Sequence, residues 1–169
     1  MSTHTSPGSK AAKATNPDGF APEKVKDLSN VMNALLADVY ALYLKTKNFH
    51  WHMSGPHFRD YHLLLDEQAE QIFDMTDDIA ERARKLGGAT IRSIGDIARH
   101  QRLKDNNEEF VAPTAMLAEL GADNDHLSRS LRAVHEICEG YKDVATASLI
   151  ENWIDETERR IWFLSETQR

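Results

Sequence analysis

Cysteine is nearly missing from this chain: Cys138 is the only one among 169 residues. A disulfide within the chain is therefore impossible, which fits a reducing compartment and leads to the expectation of a cytoplasmic protein. Long apolar runs are missing too. Nothing approaches the roughly 20 residues that a membrane-spanning helix needs, so neither a transmembrane helix nor a membrane partner is expected. The opening residues, MSTHTSPGSKAAKATNPDGF, hold no apolar h-region, so no secretory signal is expected. β-strand alternation and internal repeats are absent. So is any Glu-x-x-His, the signature that paired helices use to build an intrachain di-iron site. Excess positive charge is also lacking. The formal net charge of −7 argues against capture of nucleic acid by the whole surface.

What is present is a globular mix, 28% charged and 41% hydrophobic, long enough for one domain with a sizeable core. Residues 1–22 are rich in Ser, Thr, Pro, Gly and Ala without apolar period, and read as a flexible tail. Their charge is distinctive: residues 1–17 carry Lys10 and Lys13 and no acid, whereas the rest holds all 27 acids against 18 Lys and Arg. Residues 23–169 form the domain. Leu28, Val31, Leu35, Val39, Leu42 and Tyr43 trace a helix over about 23–52, broken by Ser54-Gly55-Pro56. Leu64, Ile72, Met75, Ile79 and Leu86 trace a second over about 57–86, ended by Gly87-Gly88. A polar stretch follows, with a short helix around 94–101. A third long helix starts at Pro113 and runs to about 139, and a fourth runs from about 143 to the end. Four long amphipathic helices with one long middle connection predict an all-α four-helix bundle with a crossover.

The chemistry concentrates in NFHWHMSGPHFRDYHLLLD, residues 48–66, where four histidines fall within thirteen positions. Set His62 to zero and advance about 100° per residue. Asp66 then lies near about 40°, Asp77 near about 60° and Glu81 near about 100°, opposite an apolar stripe centred near about 250°. Four metal-competent side chains share one arc that faces away from the chain's own core. Acids on an outer face are ordinarily solvated. Here Ala69, Phe73 and Ala80 share the arc, so part of it calls for cover.

Spacing fixes how the ligands can combine. His62 and Asp66 are one turn apart, as are Asp77 and Glu81. Between Asp66 and Asp77 the helix rises about 16 Å at about 1.5 Å per residue, and metal–ligand bonds are only about 2 Å. One ion cannot use both pairs from one chain. A second copy laid antiparallel across a two-fold axis would bring them together. His50, near the end of the first helix, folds back toward His62 across the turn. Imidazole with carboxylate suits iron or zinc rather than calcium or magnesium. Several carboxylates with open positions favour redox-active iron over a closed zinc site.

The pattern His50-x11-His62-x3-Asp66-x10-Asp77-x3-Glu81 resembles the ferroxidase-centre signature of the Dps family, the DNA-binding proteins from starved cells. HWH, LLLDEQ, DIAER-x3-LGG and the late IWFL resemble the family's framework, and the likeness covers roughly residues 25–167. It implies a ferritin-like bundle with a short helix in the long connection, assembled into a hollow dodecamer. It implies ferroxidase centres at dimer interfaces, with His50, His62 and Asp66 from one chain and Asp77 and Glu81 from its two-fold mate. Up to two irons bind per centre, oxidised preferentially by hydrogen peroxide, with the iron(III) mineral kept inside. By the same resemblance Asp77, Glu81 and His50 hold the tighter iron, while His62 and Asp66 hold a weaker one or orient a bridging water. Trp51 matches the family's tryptophan beside the site, which takes up oxidising equivalents; simple packing at the helix end is the plainer reading.

The chain departs from the family in carrying His52 where Asn is usual, and His52 and His57 read as surface or turn residues. His100, His126 and His135 receive no role, and Asp123-x-x-His126 reads as a solvated pair. Asp143 and Glu151 are the pore candidates, although Ser148 stands where an acid is frequent. Glu70 and Asp74 read as a solvated inner face. Lys10 and Lys13, multiplied over twelve arms, would give nonspecific DNA binding. The competing readings are a DNA-compacting shell without ferroxidase activity and a zinc-binding helical protein.

Overall fold

The computed structural model describes Asn16 and residues 19–169. Helix α1 spans Pro22–His52, α2 Phe58–Lys85, α3 Ile94–His100, α4 Pro113–Tyr141 and α5 Val144–Glu166. There is no strand among the described residues. Each boundary has a local cause. Pro22 and Pro113 open α1 and α4 at positions where a missing N–H costs nothing. The turn after α1 uses Gly55 at φ 98°, and α2 ends into Gly87 at φ 93°, values an L side chain resists. Asp60 in the first turn of α2 and Arg82, Arg84 and Lys85 in its last complement the helix dipole. Ser93 caps α3 by accepting from the Asp96 N–H.

α1 pairs antiparallel with α2, and α4 with α5, while α1 also packs on α4 and α2 touches α5. The order in space is up-down-down-up, which needs a connection that returns the chain along the bundle. Residues 86–112 provide it. They run back along α1, held by Asn33 Nδ2 to the Ala89 carbonyl at 3.1 Å and by Asn48 Nδ2 to the Asn106 carbonyl at 3.4 Å. The main clamp is Asp38, fully buried, which accepts from the backbone N–H of Arg102 at 2.6 Å and from its guanidinium at 2.6 and 2.8 Å.

Leu28, Met32, Leu35, Leu42, Leu65, Ile72, Ile79, Leu117, Leu131 and Ile150 are fully buried in one core. Truncating any of them to Ala would cost about 2–5 kcal/mol. Charged groups inside are paired, with Arg160 the exception among the described residues. Lys45 donates to Glu119 at 2.9 Å and Asp123 at 2.7 Å, tying α1 to α4. Burial works against that ammonium, but the two carboxylates outweigh it and hold its pKa above the ordinary lysine value. Asp123 is thus a core partner, not the solvated residue its sequence spacing suggested. No helix among the described residues is long and apolar enough to cross a membrane.

Candidate metal centre

The Ser54-Gly55-Pro56 turn places the last turns of α1 against the first turns of α2. His50 and His62 meet there. His50 Nδ1 lies 2.8 Å from the His62 carbonyl oxygen, His62 Nδ1 lies 2.9 Å from the His50 carbonyl oxygen, and the rings stack at 3.7 Å between centroids. A carbonyl oxygen only accepts, so both Nδ1 atoms carry the proton. In the neutral rings each Nε2 is then left with a lone pair, the form a metal requires.

Asp66 completes the local set. Its Oδ1 is 3.7 Å from His50 Nε2. Two bonds of about 2.1 Å to one ion place their donor atoms about 3 to 4 Å apart, so the pair can share a cation. A cation is already provided by the chain: Lys47 Nζ donates to Asp66 Oδ1 at 2.6 Å. The ammonium holds the Asp66 carboxyl below its ordinary pKa range. Lys47 escaped the sequence reading. It sits three residues before His50, hence on the same face of α1, and that spacing was the available signal.

Asp77 and Glu81 do not join this set within one chain. Both are exposed on the outer side of α2, and Glu81 pairs with Lys85 at 2.9 Å. Among the described residues, no three metal-ligating side chains converge on one point. The surrounding face is apolar without cover. Trp51 and Leu44 are each 59% exposed, Leu63 and Phe73 48%, and Phe58 45% with its ring 5.0 Å from that of His62. A depression of about 330 Å³ beside it is bordered by Tyr43, Lys47, Glu70, Phe73 and Asp74.

Comparison with known proteins bears on this geometry. A match to the ferritin-like domain family covers residues 29–169. A low temperature-induced protein of Nostoc sp., itself uncharacterised, is 35% identical over 147 residues, 86% of this chain and 82% of its own. The DNA protection during starvation protein 1 of Deinococcus radiodurans is 28% identical over 84% of this chain and 69% of its own. Among solved structures, the Dps of Thermosynechococcus elongatus superposes with a TM-score of 0.84 at 26% identity, covering 87% of this chain and 93% of that one. The Dps homologue of Halobacterium salinarum gives 0.87 at 27%, covering 95% and 93%.

The chain belongs to the Dps family of ferritin-like proteins. Within this Dps fold the pore candidates separate. Asp143 is 3% exposed, caps α5 by accepting from the Thr146 N–H at 3.1 Å and from the Thr146 hydroxyl, and pairs with buried Arg82 at 2.7 Å. An acid just before a helix is first of all a cap, and the buried Arg82 guanidinium donates to the same Oδ1 that accepts from the Thr146 N–H. Glu151 stays exposed and meets His135 Nε2 at 3.1 Å. The two border a depression of about 490 Å³ with Glu139, Lys142, Asp143 and Ser148. His52 and His57 are exposed, as the sequence suggested; Glu70 and Asp74 are exposed as well. Lys10 and Lys13 lie outside the described residues.

Proposed function

We propose that this Dps-family protein oxidises iron(II), preferentially with hydrogen peroxide, at centres shared by two copies, and stores the iron(III) inside a hollow dodecamer. The observation that carries this reading is the reciprocal lock of His50 and His62 through Nδ1, which leaves Nε2 of each neutral ring open to a metal, that of His50 3.7 Å from the Asp66 carboxylate. Asp77 and Glu81 stand farther along the same outward arc of α2, within reach of a second copy lying antiparallel. The uncovered Leu44, Trp51, Phe58, Leu63 and Phe73 supply an apolar border for that contact.

Iron is the substrate. The Asp77–Glu81 pair of one copy and His50 of the other hold the tighter ion. His62 and Asp66 hold the weaker one, because it must displace the Lys47 ammonium. Two iron(II) ions give the two electrons that, with two protons, turn one peroxide into two waters. A lone iron would give one electron and release hydroxyl radical. Trp51, adjacent to His50, can supply the second electron when only one ion is bound. Removing iron and peroxide together protects DNA, and the arm carrying Lys10 and Lys13 draws the shell to it in the cytoplasm.

The test measures the mass of the assembled particle and follows iron(II) oxidation by absorbance, with peroxide and with air, beside a hydroxyl-radical trap. Dodecamer mass, faster oxidation by peroxide and a suppressed radical signal are expected. Oxidation no faster than in buffer would leave the compacting shell as the better reading.

A further inference from the structure

Arg160 of α5 is 1% exposed. Its Nε donates to Asn124 Oδ1 on α4 at 2.9 Å, and its Nη2 to Thr157 Oγ1 at 2.8 Å, with Met75 Sδ of α2 at 3.8 Å. Nη1 is buried and has no acceptor in the protein. The other cations in or bordering the core, Lys45, Arg82 and Arg102, each have a carboxylate within ion-pair distance. Among the described residues Arg160 has none, and burial pulls its guanidinium down to about 10.

Gln68 of α2, 3% exposed, has the complementary defect: its Oε1 is buried and receives no donor from the protein. Gln68 and Arg160 line one half-open depression of about 10 Å³, bordered also by Leu64, Gln71 and Phe163 and by Glu67 and Arg159, which pair with each other at 3.5 Å. That volume admits about one water and no oxyanion. The choice of occupant follows from the partners. Arg160 needs an acceptor, and Gln68 Oε1 needs a donor. A halide accepts only, and would leave the amide oxygen facing a negative charge. Water does both.

We propose that Gln68 and Arg160 form a binding site for a single structural water, which accepts from Arg160 Nη1 and donates to Gln68 Oε1. It ties α2 to α5 beside the stretch that carries Asp66, as Arg82 ties the far end of α2 through Asp143 and Thr146. The α2 helix that bears four of the five proposed iron ligands is then fixed to the bundle at both ends of its ligand-bearing stretch.

A high-resolution crystal structure of the whole assembled protein tests this, together with a bromide soak. One density peak within hydrogen-bond distance of both atoms, without anomalous bromide signal, is expected. In Gln68→Leu the peak should vanish and the melting midpoint fall, with the particle mass unchanged. Direct contact between Oε1 and Nη1, or an anomalous peak at the position, would overturn the proposal. So would a peak that survives unmoved in Gln68→Leu. Should that variant fail to fold, the wild-type density and the bromide soak decide alone.

Discussion

His50 and His62 hold each other's backbone carbonyls through Nδ1, at 2.8 and 2.9 Å. Each ring is oriented by the other residue's main chain, so replacing one side chain leaves the other's anchor in place. His62→Ala should therefore keep His50 oriented and lose chiefly the weaker iron. His50→Ala should lose the tighter one. Losing a ligand itself should exceed the about 10–100-fold affinity loss typical of an outer-shell partner. Titration with cobalt(II) under anaerobic conditions, read by visible absorption, separates the two. Equal loss of both ions in His62→Ala would contradict the assignment.

Lys47 competes with the metal at Asp66. Lys47→Gln should raise cation affinity at the weaker position, seen as a second binding step at lower metal concentration. The same change has a signature at low pH. The Asp66 pKa is lowered in the fold, so the pair's contribution is present above the unfolded carboxylate value of about 3.9 and is lost as pH falls further through the folded value. Melting followed from pH 7 downward should show wild type and Lys47→Gln converging below that point. The effect is small, because the Asp66 side chain is 42% exposed and solvent screens the pair.

Much of this was legible along single helices. The apolar period, Ser54-Gly55-Pro56, Gly87-Gly88 and Pro113 locate the helices, because their causes are local. The placing of Asp77 and Glu81 on the exposed side of α2 was legible for the same reason. What the spacing could not show depends on which helices face each other. Asp143 meets Arg82 across 61 positions, and Lys45 meets Asp123 across 78. Read along the chain, both acids look solvated. His135 is similar: it gains meaning only once α5 brings Glu151 beside it.

Those long-range contacts make the two pore candidates separable. Asp143→Ala removes a helix cap and leaves Arg82 buried without that carboxylate, which should cost about 3–5 kcal/mol. At about 2–4 °C per kcal/mol for a chain of this size, the melting midpoint should drop by roughly 10 °C. Glu151→Gln leaves the core untouched. It should slow iron uptake into the shell with little change in melting. Scanning calorimetry and iron-uptake kinetics on both variants give the comparison. A stable Asp143→Ala shell with slowed uptake would make Asp143 a pore residue as well as a cap.

The proposed sharing of each centre between copies predicts complementation. Asp77→Ala and His62→Ala homodimers contain no complete site. In a mixed dimer, the centre made from the Asp77→Ala chain's histidines and the other chain's acids is complete, and the second centre is doubly broken. Random mixing makes about half the dimers hybrid, so about a quarter of all centres should be whole. Iron oxidation in the co-assembled shell should recover to about that fraction of wild type. No recovery in hybrids verified by mass spectrometry would rule out the shared centre.

DNA binding through the arm can be tested without disturbing the bundle. Asn16 and Phe20 bond each other through Nδ2 to the Phe20 carbonyl at 2.7 Å and the Phe20 N–H to Oδ1 at 3.2 Å, and Lys24 lies 5.0 Å from the Tyr141 ring centroid. A deletion should therefore stop at residue 15, which removes Lys10 and Lys13 and spares this lead into α1. Two lysines per arm neutralise few phosphates, but the proposed dodecamer would present several arms to one duplex. Retardation of DNA by the intact shell should weaken steeply with salt. For every phosphate no longer neutralised, the log–log slope should become shallower by about 0.9. Deletion, or Lys10→Gln with Lys13→Gln, should abolish retardation at moderate salt, since the rest of the chain carries more acid than base. Undiminished binding by the truncated shell, at the same salt slope, would move the DNA-binding surface off the arm and onto the body.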